Sequence, residues 1–600
     1  IEIGSFEKDY ARDVEVDSEG NVFVVGYFEE TVDFDPGAGV TTLTAFDERD
    51  MFVLKLDPEG NFLWVKHFSG PNHQDPEVIT IDSTGSPIIS GTTQNPVDFD
   101  PGSGTLFLDG QFIIKLTPDG DLDWGYDPDF GINGLDVGAD NYIYCSGAFK
   151  NTTDMDPGSG VFNLTSVDIN DGYISKLNPF GDLVWVRQLS GDLTQTVQCI
   201  TVLDSIVYAG GRTWGTADFD PGPGTYSLSP GVYDEPDAFV EKLDTAGNFL
   251  WARLFQGSVE PSEANDVTIS EDNAVYFTGQ FVGTVDFDSG SGVYDVTSTA
   301  GTADGFLVKL STLGELEWVE NLGGTSGGAG MSVRIAQDGG IYYLGSFNGT
   351  IDVDPGTGMH EYSSSVLSSY LGKYKSDGSL QWAKLLEGSQ GDEITVYQND
   401  VYVAGDYELG LIFEDGPTFS ADGPWEGYLA KYIDCTALGL DVSYGDGFLT
   451  AESSSALSYQ WIDCNNDSTA IPGETSSTYY PPQNGSYAVI VDHGSGCIDT
   501  SDCYEVTDLG WTQLPEDISG LGCVVYPNPT NGDFRVKFET PFTGTLSAYD
   551  LTGKLVLSQP LYSVDDTRLN LPGERGFYLL QFIREDGKVI TRKLQKMTSF

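Results

Sequence analysis

The feature that most constrains this chain is a seven-residue repeat. Asp33-Phe34-Asp35-Pro36-Gly37-Ala38-Gly39 recurs with variation from Asp98, Asp154, Asp218, Asp286 and Asp352, at intervals of 56 to 68 residues. A seventh, degenerate copy is read at Ile412-Phe413-Glu414-Asp415-Gly416. Other segments keep step. A short alternating strand precedes each copy, at 21–28, 86–92, 142–149, 206–212, 274–281, 341–347 and 401–407. A lysine-bearing strand follows, around Lys55, Lys115, Lys176, Lys242, Lys309, Lys373 and Lys431. After a Gly, Pro or Asp turn comes a strand with Trp64, Trp124, Trp185, Trp251, Trp318 or Trp382. A less regular strand, such as 78–82 or 266–270, completes each unit. Four short strands repeated at this period specify propeller blades.

Counting the strands sets the number of blades. There are seven second strands and seven lysine strands but six tryptophan strands. The missing outer strand is assigned to residues 1–6. Residues 1–434 are therefore read as a seven-bladed β-propeller closed by its N-terminal strand. The tryptophans are expected to pack between blades, where a large aromatic supplies buried area. The pattern resembles the β-propeller repeats of bacterial secreted proteins, through Asp17–Gly26 and Phe52–Trp64. That resemblance implies a fold and says little about function.

In each heptapeptide, D-x-D places two carboxylates on one side of an extended segment. Two readings stay open. In one, Asp caps its own loop while Pro and Gly turn the chain. In the other, Ca²⁺ is held by Asp33 and Asp35, Asp98 and Asp100, Asp154 and Asp156, Asp218 and Asp220, Asp286 and Asp288, and Asp352 and Asp354. The motif resembles half of a calcium loop of integrin-type propellers, with proline at the third acidic position.

A formal net charge of −64 excludes a nucleic-acid-binding surface and argues against docking on an anionic membrane. Apolar residues at 39% and aromatics at 12% still suffice for cores. No run approaches 18 apolar residues, so no membrane-spanning helix is expected. If the protein is exported, the numbering begins after signal cleavage.

Residues 435–506 read as a second β unit, with Tyr459-Gln460-Trp461 in one strand and Tyr487–Val491 in another. The central Trp followed by a Tyr-x-Val strand resembles immunoglobulin-like modules. Cys435, Cys464, Cys497, Cys503 and Cys523 cluster here without metal-ligand spacing, which points to disulfides in an oxidising compartment. Cys464–Cys497 with Cys435–Cys503 is the preferred pairing. Four cysteines allow three connectivities. Cys523 is then left over, and Cys145 and Cys199 are expected to be buried thiols. Residues 507–523 read as a linker.

Residues 524–600 carry 10 basic and 8 acidic side chains, whereas 435–523 contain no Lys or Arg. This segment reads as an antiparallel sandwich of about seven strands, with hairpin turns at Asp550–Lys554 and Glu585-Asp586-Gly587-Lys588. Its markers are Tyr526-Pro527-Asn528-Pro529 with Gly532, then Asp550, Gly553 and Lys554, then Gly576 and Tyr578, and finally Lys593, Leu594 and Lys596. In this order they resemble the type A C-terminal sorting domain of type IX secretion cargo in the Bacteroidota. The resemblance implies export through the periplasm and outer membrane to the cell surface or medium. It implies binding by an outer-membrane barrel shuttle and translocon, and removal by a sortase. It also raises O-glycosylation at Asp204-Ser205-Ile206 and Asp244-Thr245-Ala246.

No catalytic constellation stands out. Gly324-Thr325-Ser326-Gly327-Gly328 matches G-x-S-x-G by letter but lies in a glycine-rich turn with no following helix. The expectation is a non-enzymatic, secreted binding or structural protein whose propeller contacts a glycan or other surface ligand. A propeller enzyme acting on polysaccharide is the alternative, and a central cluster of carboxylates and aromatics would favour it.

Overall fold

A computed structural model describes the chain except residues 5–7, 258–260, 291, 355, 357, 415, 422–424, 435–439, 446–447, 454–455, 467, 480, 482–483, 495–496, 508–522, 527, 531, 586, 588 and 598–600. It divides into two compact units, Ile1–Ala437 and Leu438–Phe600. Among the described residues, no helix is long and apolar enough to cross a membrane.

The first unit contains seven four-stranded antiparallel sheets. The first consists of Tyr10–Val16, Val22–Phe28, Asp50–Leu56 and Phe62–Phe68, hydrogen-bonded in that order. The next four repeat this order. Leu380–Tyr397 is shared: its first half is the outer strand of the sixth sheet and its second half the inner strand of the seventh. Glu2–Ile3 pairs with Glu426–Tyr432 and supplies the fourth strand of the seventh sheet. Each inner strand lies against the next, and the last against the first. Seven apolar clusters fill the seven sheet-to-sheet interfaces. The one joining first and last packs Val14 and Phe52 with Tyr402 and Leu429. The unit is a closed β-propeller, and burial between blades is its core.

The inner strands look irregular in sequence for one reason. Each carries a register break at the same place, leaving Arg12, Glu77, Asn133, Gln198, Asn265, Met331 or Asp392 as the extra residue of a β-bulge. A bulge breaks the two-residue alternation and re-aims the side chain.

The second unit holds two separate cores. In the first, Asp441–Gly445, Phe448–Glu452 and Thr478–Tyr479 form one sheet, and a five-stranded sheet is built on Ser458–Asp463 and Gly485–Gly494. Trp461 is fully buried in this core and stacks on Tyr479. The disulfide expectation is corrected: Cys464 bonds Cys503, so neither Cys464–Cys497 nor Cys435–Cys503 forms. Register explains it. Cys464 lies opposite Ser486, and Tyr504 pairs with Tyr487, so both bonded cysteines flank the start of the Gly485–Gly494 strand. Cys497 pairs with Gly494 at the far end. Cys435 and nearly all of the expected linker lie outside the described residues.

The C-terminal core, from Cys523 onward, has five continuous strands rather than about seven. Asp533–Asp550 and Leu555–Asn570 are each long, and the first serves more than one partner. Register breaks between Lys537 and Gly544 let the first pair with Cys523–Tyr526 at one end and with Gly576–Arg584 at the other.

Candidate functional site

The heptapeptides sit in the hairpin between the second and third strands of their blades. Each first Asp accepts two backbone N–H groups through Oδ1: Asp33 from Asp35 at 3.2 Å and Thr41 at 2.8 Å. Each second Asp accepts one: Asp35 from the Gly37 N–H at 2.8 Å. Asp98 and Asp100, Asp154 and Asp156, Asp218 and Asp220, Asp286 and Asp288, and Asp352 and Asp354 repeat the pattern. It survives in the fifth copy, where Ser289 replaces proline. A Cβ at Gly39 would lie 2.0 Å from Asp35 Oδ2, so any other residue there would displace the carboxylate that locks the turn. Among the described residues, no group of three or more acidic, His or Cys side chains is placed to hold a metal. The degenerate copy is a tight turn in which the Gly416 N–H donates to Phe413.

The inner strands of the propeller hold buried charge, and three of the carboxylates come from alternate blades. Asp13, Asp136 and Asp266 each accept an N–H from the next blade, from Ile79 at 2.8 Å, Val202 at 2.7 Å and Val333 at 2.8 Å. They satisfy donors on inner strands that have no sheet partner there. Arg334 reaches Asp266 and, at 2.9 Å, Glu393. Burial pushes the Asp13 and Glu15 carboxyls up, Asp136 to about 6 and Glu393 to about 8. Burial opposes the Arg334 charge, but Asp266 and Glu393 hold it firmly protonated. This cluster was not legible in the sequence, because the bulges hide which inner residues share a level.

Where the seventh sheet meets the sixth, a cleft of about 430 Å³ opens beside Trp425. On the strand that carries Glu408, Asp406 is 1% exposed. Burial and neighbouring Asp392 raise its carboxyl to about 8.

In the C-terminal domain the two ends of the signal meet. Asn528 donates from Nδ2 to the Lys593 carbonyl at 3.0 Å and accepts the Gln595 N–H at 2.9 Å. The Thr530 N–H donates to Gln595, and Met597 donates back to Thr530. Lys596 Nζ donates to the Leu571 and Gly573 carbonyls at 2.8 and 2.7 Å. Leu594 is fully buried. Lys593 lies over the Phe577 ring, and the Tyr578 hydroxyl donates to Glu574. Asp550 closes its hairpin by accepting N–H groups of Thr552 and Lys554, with Gly553 at φ 81°. Gly532 and Gly576 also have positive φ. Tyr526 ends the first strand, and Pro529 follows Asn528. Pro527 lies outside the described residues.

Residues 524–597 match the family described as the secretion system C-terminal sorting domain. The chain is a cargo of the type IX secretion system. Its destination is the cell surface or the extracellular space.

The cargo is also 22% identical, over 527 residues, to an uncharacterized WD repeat-containing protein of Acanthamoeba polyphaga mimivirus, covering 72% of this chain and 38% of the relative. It is 28% identical over 193 residues to the regulatory protein FlaEY of Caulobacter vibrioides, covering 31% of this chain and 19% of that one. The cargo thus spans well under half of either relative. A protein of unknown function from Bacteroides caccae aligns over 55% of this chain and 89% of its own, with 10% identity and a TM-score of 0.27.

Proposed function

We propose that the cargo is a non-catalytic binding protein of the cell surface, delivered by residues 524–600 and working through its propeller. The observation that carries the export half is the clamp between Asn528 and the Lys593–Gln595 backbone. It makes the two ends of the matched domain one recognition unit. An outer-membrane barrel shuttle and translocon would read this unit, and a sortase would remove it. The clamp covers part of the last strand, which leaves Val589–Arg592 as the stretch available for edge pairing.

Two features support a binding role for the propeller. The heptapeptide hairpins present apolar side chains to solvent near their tips: Val40, Phe107, Val161, Tyr226, Val293 and Met359. Apolar exposure repeated around a rigid ring suits contact with a partner surface. The axial carboxylates are engaged by backbone N–H groups and Arg334, which suits struts rather than an acid–base pair. The heptapeptides themselves act as hairpin locks in this reading. Calcium held by the same Asp pairs is the competing account.

The test is export of full-length protein, residues 1–523 and Asn528→Ala from a type IX-competent host. Full-length protein should reach the surface, the truncation should stay in the periplasm, and Asn528→Ala should fall several-fold. Equal export of all three would end the proposal.

A further inference from the structure

Resting on the binding reading above, we infer that the cleft beside Trp425 takes an organic cation, an ammonium or guanidinium group on an apolar stem. The cleft has the volume of a small-ligand site. Its platform is the Trp425 indole. One face of that ring stacks on Tyr10, with centroids 6.0 Å apart and planes 21° from parallel. The Trp425 carbonyl accepts the Asp9 N–H at 3.0 Å, so the platform is fixed from the first blade. Val366, Leu367 and Ile412 line the same cleft and are 39%, 43% and 46% exposed. An apolar stem would bury them.

The polar lining selects the charge. Glu387 and Glu408 face the cleft, and among the described residues neither forms an ion pair. Two carboxylates beside an indole favour a cation twice, by charge and by the ring quadrupole. A neutral saccharide could use the indole but would leave both charges uncompensated. An anion would meet them on a chain of net charge −64. Gln390 adds an amide for orientation.

The test is calorimetric titration of the full chain with four probes: phenethylammonium, an Arg/Leu octapeptide, phenylacetate and maltohexaose. Phenethylammonium should bind once per chain and weaken with added salt. The Glu387→Gln/Glu408→Gln double variant should lose at least tenfold in affinity, and Trp425→Ala a similar amount. Glu271→Gln, an exposed charge elsewhere, should lose none. Octapeptide binding that exceeds and displaces the amine assigns the cation to a protein partner. Amine binding alone assigns a free small molecule. Undiminished binding by the double variant, equal binding of phenylacetate, or no cation binding overturns the inference. Maltohexaose binding lost in Trp425→Ala overturns it too, but leaves the binding reading standing. If Trp425→Ala fails to fold, the surface double variant decides alone.

Discussion

Lys55 and Trp64, cross-strand partners in the first blade, donate to one acceptor: Nζ and Nε1 each lie 3.2 Å from the Pro118 carbonyl oxygen of the second blade. Lys115 and Trp124 do the same to Pro179, Lys176 and Trp185 to Thr245, Lys242 and Trp251 to Thr312, and Lys309 and Trp318 to Ser376. Lys431 reaches Pro58 and carries the belt from the seventh blade back to the first. A carbonyl has two lone pairs, so both donors are satisfied at once. These five tryptophans therefore join blades through an N–H as well as by burial.

Trp64→Phe keeps an aromatic ring but removes the N–H, and should cost about 1 kcal/mol in denaturant unfolding. Lys115→Met should cost more, about 3–5 kcal/mol, because it strands buried Asp82, 2.8 Å from Lys115 Nζ. Adding Asp82→Asn should recover part of that loss. Equal effects of the two single variants would contradict the belt.

The axial carboxyls set a pH dependence. Glu393 at about 8 and Asp136 at about 6 are both raised above their unfolded values by burial. A raised folded pKa gives stability that is complete below the unfolded value and lost as pH climbs through the folded one. The thermal midpoint should therefore fall between pH 5 and pH 8.5, roughly spanning these two values. Glu393→Gln should flatten the slope. A midpoint that rises across this window would refute the assignment.

The hairpin-lock reading of the heptapeptides is tested at Asp98, whose Oδ1 accepts Asp100 and Leu106 N–H groups. Asp98→Ala should cost about 1 kcal/mol, and Asp98→Asn, which keeps an acceptor oxygen, much less. Added Ca²⁺ or EDTA should leave the melting curve unchanged. A Ca²⁺-dependent rise abolished by Asp98→Asn would favour the metal.

Non-reducing peptide mapping should recover a fragment joining Cys464 to Cys503, across a separation of 39 residues. Replacing both by Ser should destabilise the core around Trp461 by about 4 kcal/mol from loop entropy. A Cys464–Cys497 fragment would restore the rejected pairing.

Much of the fold was legible because it rests on local, repeated choices. The heptapeptide period, the lysine and tryptophan strands and the missing outer strand, assigned to residues 1–6, led to a closed propeller. The four ordered markers over 524–600 led to the sorting domain. Local chemistry explains this legibility: alternation, turn residues and glycines act over a few positions, and repetition multiplied the signal.

What the sequence did not reveal depends on register between distant segments. The bulges shift each inner strand by one residue, so Asp13, Asp266 and Glu393 converge with Arg334 only once seven strands are ranged around one axis. Cys503 reaches Cys464 because both flank one end of a third strand, which spacing does not encode. Asn528 grips Lys593 and Gln595 from 65 or more positions away. By itself the sequence determined the all-β blades and the export tail; the tertiary structure alone decided which carboxylates, cysteines and donors meet, because pairing across long loops is fixed by packing rather than by any local pattern.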